Sequence, residues 1–391
     1  MTKRKLISFC LIILFLSFLP TSKCMAETPL EPLDDSIHFT NNISDDKDVN
    51  KEIQELIEKY FKWYNENMKN GLATFNDINL LVENDSLVDF KKSKVKWFYN
   101  FNKELEMNLK SYTINADLNS VEENGEYIDI NIVYGEKLIT ENAEDITQEL
   151  HGQEHQLVIQ NINGNYKIIN DYYLDELMGE DFSKESEIYK YNQSIRTDSN
   201  DIKMQEKANE FEVKLNNLDL EVDKVRKEAE NRKNQSSVAM AIASKNPYIC
   251  KSYDPAKAVK YAKTHYEHNN PYFPYYPKGD CQNFVSQCLD FGGIPRDVAW
   301  YVGSRYWKLV VEFEDWANRQ KSFARVLSWQ ENTTLGDVVQ FYNARDGWHH
   351  SMIVTYRDSS GYLYVTGHTD NYINKPINNI SETKRYLIFT S

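Results

Sequence analysis

The sequence predicts an α+β protein, because helical periodicity and strand alternation occupy separate stretches of the chain. Apolar residues repeat at the spacing of one helix face from Ile53 to Tyr64. Beyond Tyr112 the apolar period changes to two residues, as in half-buried strands. With 391 residues, 41% of them hydrophobic, the chain is long enough for two or three domains with packed cores.

Charge is distributed unevenly along the chain. The net charge is −14, yet residues 250–391 contain 16 Lys and Arg against 14 Asp and Glu. The acidic excess therefore lies before position 250, where 29 basic side chains face 45 acidic ones. No segment has the Lys and Arg excess that binding by phosphate neutralisation needs, so a nucleic-acid partner of that kind is excluded.

The first residues predict export. Three basic residues at positions 3–5 precede an apolar run from Leu6 to Leu19, which is typical of a signal peptide over residues 1–26. A lipid-anchored Cys24 is the alternative. The run is shorter than the ~20 residues of a membrane-spanning helix. We therefore expect a secreted, extracellular or cell-wall-associated protein with no membrane span in its mature form.

The rest of the chain divides by pattern. Residues 27–49 are polar and predicted to be flexible. Residues 50–180 predict an α+β domain, with helices from Asn50 and over Phe90 to Leu109 and with a hairpin turn at Asn163-Gly164. This order of elements is similar to the NTF2-like fold. Residues 181–240 are rich in charge and carry short heptad spacing, which predicts a helical linker ahead of a domain over residues 250–391.

One cysteine of the last domain has the surroundings of a nucleophile. Residues 281–289 have apolar positions at helical spacing, and Gly292-Gly293 stands where the helix should end. Cys281 then lies in the first turn, where unpaired N–H groups and the helix dipole stabilise a thiolate. Cys288 is interpreted as a buried small hydrophobe. Cys250 is the third cysteine left after export, and its pairing stays open.

A thiolate nucleophile needs a base, and the chain supplies histidines downstream. Residues 336–341, 348–354 and 363–370 read as strands. Folding the last two about residues 359–361 places His350 opposite positions 368–371, so that His368 or Asp370 can reach its imidazole across the ladder.

Three blocks of the C-terminal part carry a family resemblance: Gly279 to Cys288 with Gly292-Gly293-Ile294-Pro295, then Gly336-Asp337-Val338 leading to His350-Ser351, then His368-Thr369-Asp370. From Tyr253 onward the chain resembles the putative amidase domain of exported Gram-positive proteins, a relative of NlpC-type cell-wall peptidases. The resemblance implies a papain-like cysteine hydrolase domain, with a helix carrying Cys and an antiparallel sheet carrying His. It implies Cys281 as nucleophile, His350 as general base, and His368 or Asp370 as the residue that orients it. His349 is the alternative base.

We therefore expect an exported cysteine-dependent amidase or peptidase that cleaves amide bonds of peptides or cell-wall peptides through a thioester. No cofactor and no metal are expected. The Cys281 backbone N–H is the expected oxyanion donor, with Tyr275, Tyr276 or Gln282 as the second.

Two alternatives have other chemistry. The scaffold could be a catalytically inactive module that binds cell-wall peptide, or a zinc hydrolase using His349, His350, His368 and Asp370. The His151 to His155 stretch also matches the H-x-x-E-H zinc pattern, but that chemistry needs both histidines on one helix face, and Gly152 followed by the strand-like Leu157–Ile162 argues against a helix here. For the N-terminal domain we expect positioning, partner binding or restraint of the hydrolase.

Overall fold

A computed structural model describes residues 30–42, 50–175, 177–183, 199–242, 252–277, 279–320, 324–327, 333–369 and 371–389. The predicted signal peptide, Cys250 and Asp370 lie outside these ranges. No helix within them is both long and apolar enough to cross a bilayer.

The architecture is a mixture of helices and one large sheet, in agreement with the predicted class. The helices are α1 (Lys51–Asn70), α2 (Ile78–Leu81), α3 (Asp85–Glu104), α4 (Ser199–Asn216), α5 (Leu218–Ile242), α6 (Pro255–His265), α7 (Cys281–Gly292), α8 (Arg305–Lys308) and α9 (Val310–Arg319). The strands are β1 (Ser36–Asn41), β2 (Leu109–Asn124), β3 (Tyr127–Thr140), β4 (Gln148–Ile162), β5 (Asn165–Asp175), β6 (Glu180–Asp181), β7 (Arg325–Leu327), β8 (Val338–Asn343), β9 (Gly347–Arg357), β10 (Leu363–Gly367), β11 (Tyr372–Pro376) and β12 (Thr383–Ile388).

Helix α3 begins and ends about five residues before the helix predicted over Phe90 to Leu109. Its start is set by Asn84, whose side-chain oxygen accepts a hydrogen bond from the backbone N–H of Leu87 at 3.1 Å. Its end is set by Glu106, whose φ of 57° is left-handed. The residues at the two ends, rather than the apolar pattern, thus set where α3 begins and ends.

The front and rear parts of the chain share one sheet. Strands follow the order β1-β2-β3-β4-β11-β10-β9-β8-β12-β7, and β5 pairs with β4 off this path. The β4–β5 hairpin turns at Asn163-Gly164, as predicted, and both residues have positive φ. The first residues of β4 pair with β11, where Leu150 faces Tyr372 and Glu149 faces Ile373. The C-terminal sheet is therefore continuous with the N-terminal one.

Two segments are more ordered than their composition predicts. Ser36–Asn41, inside the segment expected to be flexible, forms β1 parallel to β2, because Ile37 and Phe39 pack against the main core. The expected charged linker contains α4 and α5, and their apolar stripe, including Phe211 and Val222, is buried in the same core. Burial of this stripe ties the helices to the body of the protein.

The C-terminal helices and strands form close to where the sequence predicts them. Asp254 caps α6 with its side chain, and Gly293 ends α7 in the left-handed conformation. Strands β9 and β10 pair antiparallel, with Tyr364 opposite Tyr356 and Thr366 opposite Ile353. This register matches the predicted one, but β10 ends at Gly367, one residue before His368.

Candidate active site at the start of helix α7

Cys281 is the first residue of α7 and is 4% exposed. Its Sγ contacts the carbonyl oxygen of His349 on β9 at 3.7 Å, so the helix start lies against the strand that carries both candidate base residues. In general, unpaired N–H groups and the positive dipole end at a helix start lower the pKa of a thiol, whereas burial acts in the opposite direction. Cys288 lies two turns further along α7, where burial raises the pKa of its thiol well above the ordinary value. Of these two cysteines, Cys281 has the surroundings of a nucleophile.

Hydrogen bonds between side chains hold α7 on the sheet. Gln282 Oε1 accepts from Ser351 Oγ at 2.7 Å and from Gln340 Nε2 at 3.2 Å. Gln282 Nε2 in turn donates to Ser286 Oγ at 3.2 Å. Gln282, considered from sequence as an oxyanion donor, is thus engaged as an anchor between the helix and strands β8 and β9.

His368 lies at the start of α7, where its partners are Asp280, the His265 carbonyl and Phe284. Its Nδ1 is 2.7 Å from Asp280 Oδ2, its Nε2 is 2.7 Å from the carbonyl oxygen of His265, and its ring stacks on Phe284 at 4.0 Å. Because a carbonyl oxygen only accepts, Nε2 carries a proton. His368 therefore joins the end of β10 to the start of α7 and to the end of α6. Its role in orienting His350 remains a prediction.

Asp280 was not identified from the sequence as a site residue. Although it precedes α7, its side chain does not cap the helix. Its Oδ1 accepts from Tyr276 N at 3.1 Å and from Asn283 Nδ2 at 2.8 Å, while Oδ2 faces His368. The carboxylate thus fixes the loop before Cys281, the first turn of α7 and the end of β10 together. The one feature of the sequence that could have identified Asp280 as a site residue is its position directly before Cys281.

His350 occupies the face of the sheet away from α7. It pairs with Phe341, and the two rings lie 6.1 Å apart. Phe341 and Met352 belong to the main core, whereas Ile353 packs against Phe284 of α7. Side chains alternate along a strand, so His350 points with Met352 into the main core.

The electrostatic surroundings of His350 agree with this position. Burial lowers the pKa of His350 to about 3, and the neighbouring charges of His349 and Lys375 act in the same direction. The imidazole is therefore neutral at physiological pH. Lys375 belongs to β11, on the side of the sheet that faces the N-terminal part.

His349 is the extra residue of a β-bulge. The β8–β9 register shifts here, since Phe341 pairs with His350 while Tyr342 pairs with Trp348. His349 Nε2 lies 2.9 Å from Glu382 Oε2, and Asn343 Nδ2 donates to Glu382 Oε1 at 2.9 Å. Because a carboxylate only accepts, Nε2 is the donor in its contact with Glu382, and Asn343 Nδ2 also lies 3.0 Å from this nitrogen.

Glu382 gives His349 the carboxylate partner that a general base commonly has. Nothing in the sequence pattern pointed to Glu382, because it lies 33 positions away, directly before β12, whose pairing with β8 only the fold reveals. The predicted site residues are thus brought together in part: Cys281 lies against β9, His368 is tied to Asp280, and His350 faces the other side.

The histidines expected to form a zinc site under the metal alternative are dispersed. His349 pairs with Glu382, and His368 pairs with Asp280. Within the described ranges, no group of three or more His, Cys, Asp or Glu side chains has the arrangement of a metal site. The His151 to His155 stretch lies in β4 and does not form the helix that the zinc pattern requires.

Comparison with known proteins places this site in a described domain. Residues 252–390 match the family model described as "Putative amidase domain". The uncharacterized protein YjcM of Bacillus subtilis (strain 168) is 29% identical over 206 residues, covering 48% of this chain and 49% of the relative. The chain thus spans about half the length of the curated relative it matches.

A solved structure was also matched. The intermembrane space region of chloroplast protein ARC6 aligns with a TM-score of 0.26 and 10% identity, covering 33% of this chain and 98% of that structure. A likeness at this TM-score carries no argument about fold. The resemblance inferred from the three sequence blocks is confirmed by the family match, since residues 252–390 match the model described as a putative amidase domain.

Proposed function

We propose that residues 252–390 form a papain-like cysteine amidase or peptidase of an exported protein, acting on amide bonds of peptides or cell-wall peptides. The observation that carries the proposal is Cys281 at the first residue of α7, with Sγ against the His349 carbonyl of β9. The match of this part of the chain to the amidase family supports the reaction class.

In the proposed reaction the Cys281 thiolate attacks the amide carbonyl carbon, and the Cys281 backbone N–H stabilises the developing oxyanion. The C–N bond then breaks, and the leaving amine takes a proton from the imidazolium of the base. Water adds to the thioester, which releases the carboxylic acid and restores the thiol.

The base comes from the His349-His350 pair. The family motif favours His350, which would have to leave its buried position opposite α7 to reach the thiol. The geometry favours His349, because Glu382 holds its Nε2 at 2.9 Å and so orients Nδ1.

A peptide library and cell-wall fragments, analysed by mass spectrometry after incubation with the full chain, test the activity. Cys281→Ala should abolish product release, while Cys288→Ala, as the matched control, should retain it. Identical products from wild type and Cys281→Ala would contradict the nucleophile assignment.

The same assay separates the two histidines. Loss of the general base should reduce the rate about 10²–10⁴-fold. If His349 is the base, the reaction rate should fall in His349→Gln and in Glu382→Gln, while His350→Gln stays active. If His350 is the base, the rate should fall in His350→Gln, whereas His349→Gln and Glu382→Gln should stay active.

A non-catalytic binding module is the second candidate. The observation that favours it is the burial of His350 on the far face, with a pKa of about 3. In that case cell-wall peptide should bind wild type and Cys281→Ala equally, as measured by calorimetry, and neither protein should release products.

A further inference from the structure

A cavity of about 200 Å³ lies between the N-terminal helices, the sheet and β11. This is more than ten times the roughly 10–15 Å³ that one water requires. Its walls combine charged and polar side chains with aromatic ones from both parts of the chain, which include Tyr60, Phe61, Tyr64, Tyr134, Tyr173 and Tyr372. The cavity is separate from Cys281, which is not among its lining residues, and the proposed hydrolase chemistry does not use it.

Three side-chain amide oxygens of the cavity lack a hydrogen-bond donor within the described part of the chain. Asn65, Asn102 and Asn379 line it, and the side-chain oxygen of each is buried without a hydrogen-bond partner among the described residues. Asn65 is fully buried and Asn102 is 7% exposed. Among the buried side-chain nitrogens of these described walls, none lacks a partner. The unmet requirement is therefore for donors.

The orientation of the Asn65 amide is fixed by its neighbour. Its Nδ2 donates to Glu136 Oε2 at 3.2 Å, and a carboxylate only accepts, so Oδ1 cannot be exchanged with Nδ2. Tyr134 donates to the same Glu136 oxygen at 2.8 Å. Glu136 thus receives hydrogen bonds from neutral donors, with no cation within salt-bridge distance among the described residues.

Two of the three lysines that line the cavity are paired with carboxylates. Lys91 pairs with Asp171 at 3.2 Å, and Lys94 pairs with Glu180 at 2.8 Å. Burial raises the pKa of Tyr64 well above its ordinary value, and the charges of Glu136, Glu180 and Asp175 add to the rise. Lys375, the third lysine, lies over the Tyr372 ring, 3.5 Å from its centroid.

We propose that this cavity binds a small organic ammonium compound, a primary amine on an apolar or aromatic body. The ammonium would donate to the Asn65 and Asn102 oxygens beside Glu136, and the aromatic walls would receive the cation and the apolar body. Because Tyr372 and Lys375 belong to β11, which pairs with β10 of the amidase domain, the bound amine would contact both parts of the protein.

Calorimetry and thermal unfolding of the full chain with benzylamine, benzyl alcohol and benzoate test the proposal. Benzylamine alone should bind and raise the melting temperature. Glu136→Gln should weaken its Kd about tenfold or more, and Asn102→Leu, which removes an oxygen without a partner, should weaken it while preserving the fold. Exposed Glu122→Gln is the matched control and should bind as wild type.

Equal binding of benzyl alcohol would mean an apolar cavity only and would overturn the proposal. Preferred binding of benzoate would mean that the lysines set the specificity, and this result would also overturn the proposal. Absence of benzylamine binding at millimolar concentration would also refute it.

Discussion

Asp280→Ala is the substitution that most directly tests how the start of α7 is held. The Asp280 carboxylate accepts from Tyr276 N, from Asn283 Nδ2 and, through Oδ2, faces His368 Nδ1 at 2.7 Å. Asp280 and His368 are each 4% exposed in their side chains. Removing the carboxylate leaves a buried imidazole and two donors without this acceptor.

The expected loss is large because the partners are buried. A buried donor left unsatisfied costs ~1–3 kcal/mol. Asn283 keeps a second acceptor, the carbonyl oxygen of Pro274 at 2.8 Å, so the main losses fall on Tyr276 N and His368 Nδ1. We therefore expect Asp280→Ala to lower the free energy of unfolding by about 2–4 kcal/mol.

Urea unfolding of the full chain measures this loss. The matched control is Asp290→Ala in the same helix, whose partner Arg296 is 47% exposed in its side chain, so about 0–1 kcal/mol is expected. In a double-mutant cycle, Asp280→Ala and His368→Ala should be less than additive, since each removes the same contact. A loss for Asp280→Ala no larger than that of the control would refute the anchoring role.

Three further predictions concern buried groups and a turn. Because burial lowers the pKa of His350 to about 3, below the unfolded value near 6.5, stability should fall as the pH drops through this window. The loss is about 2 kcal/mol between pH 6.5 and 5, and urea unfolding of His350→Phe should lack it; an unchanged slope would argue against the buried neutral imidazole. Burial opposes ionisation of Asp171, yet His155 and Lys91 lower its pKa below the ordinary value, so its contribution is present above pH ~4 and is lost in acid. Asp171→Asn should cost about 3–5 kcal/mol at pH 7 and progressively less in acid, as followed by urea unfolding at a series of pH values, and a pH-independent cost would contradict this account. Gly293 has φ of 95°, and an added Cβ would meet the Ser252 carbonyl oxygen, so Gly293→Ala should cost about 1–3 kcal/mol in thermal unfolding. Gly125→Ala, with φ of 68° and open space around it, should cost less, and equal losses would exclude the steric argument.

Sequence patterns predicted the local elements of the C-terminal part well. Asp254, Cys281 and Gly293 have the expected positions at helix ends, because capping depends on residues close in sequence. The β9–β10 register followed from the turn between the strands. The motifs also identified the amidase family, which the comparison confirms.

The candidate site was less accessible from sequence, since its partners come from distant segments. Asp280 binds His368 across 88 positions, and Glu382 binds His349 across 33. A one-residue bulge at His349 decides which neighbours the two adjacent histidines meet, and alternation alone did not reveal it. Asp370 lies outside the described residues, so the orienting role predicted for it stays a prediction.

By itself the sequence determined the class of elements, the placement of Cys281 at a helix start and the family of the C-terminal part, because these depend on local spacing and capping. Only the tertiary structure decided that β4 pairs with β11, that His350 lies in the core, and that side chains from both parts line one cavity. Those features arise from long-range strand pairing and side-chain packing, which bring together residues that no local pattern connects.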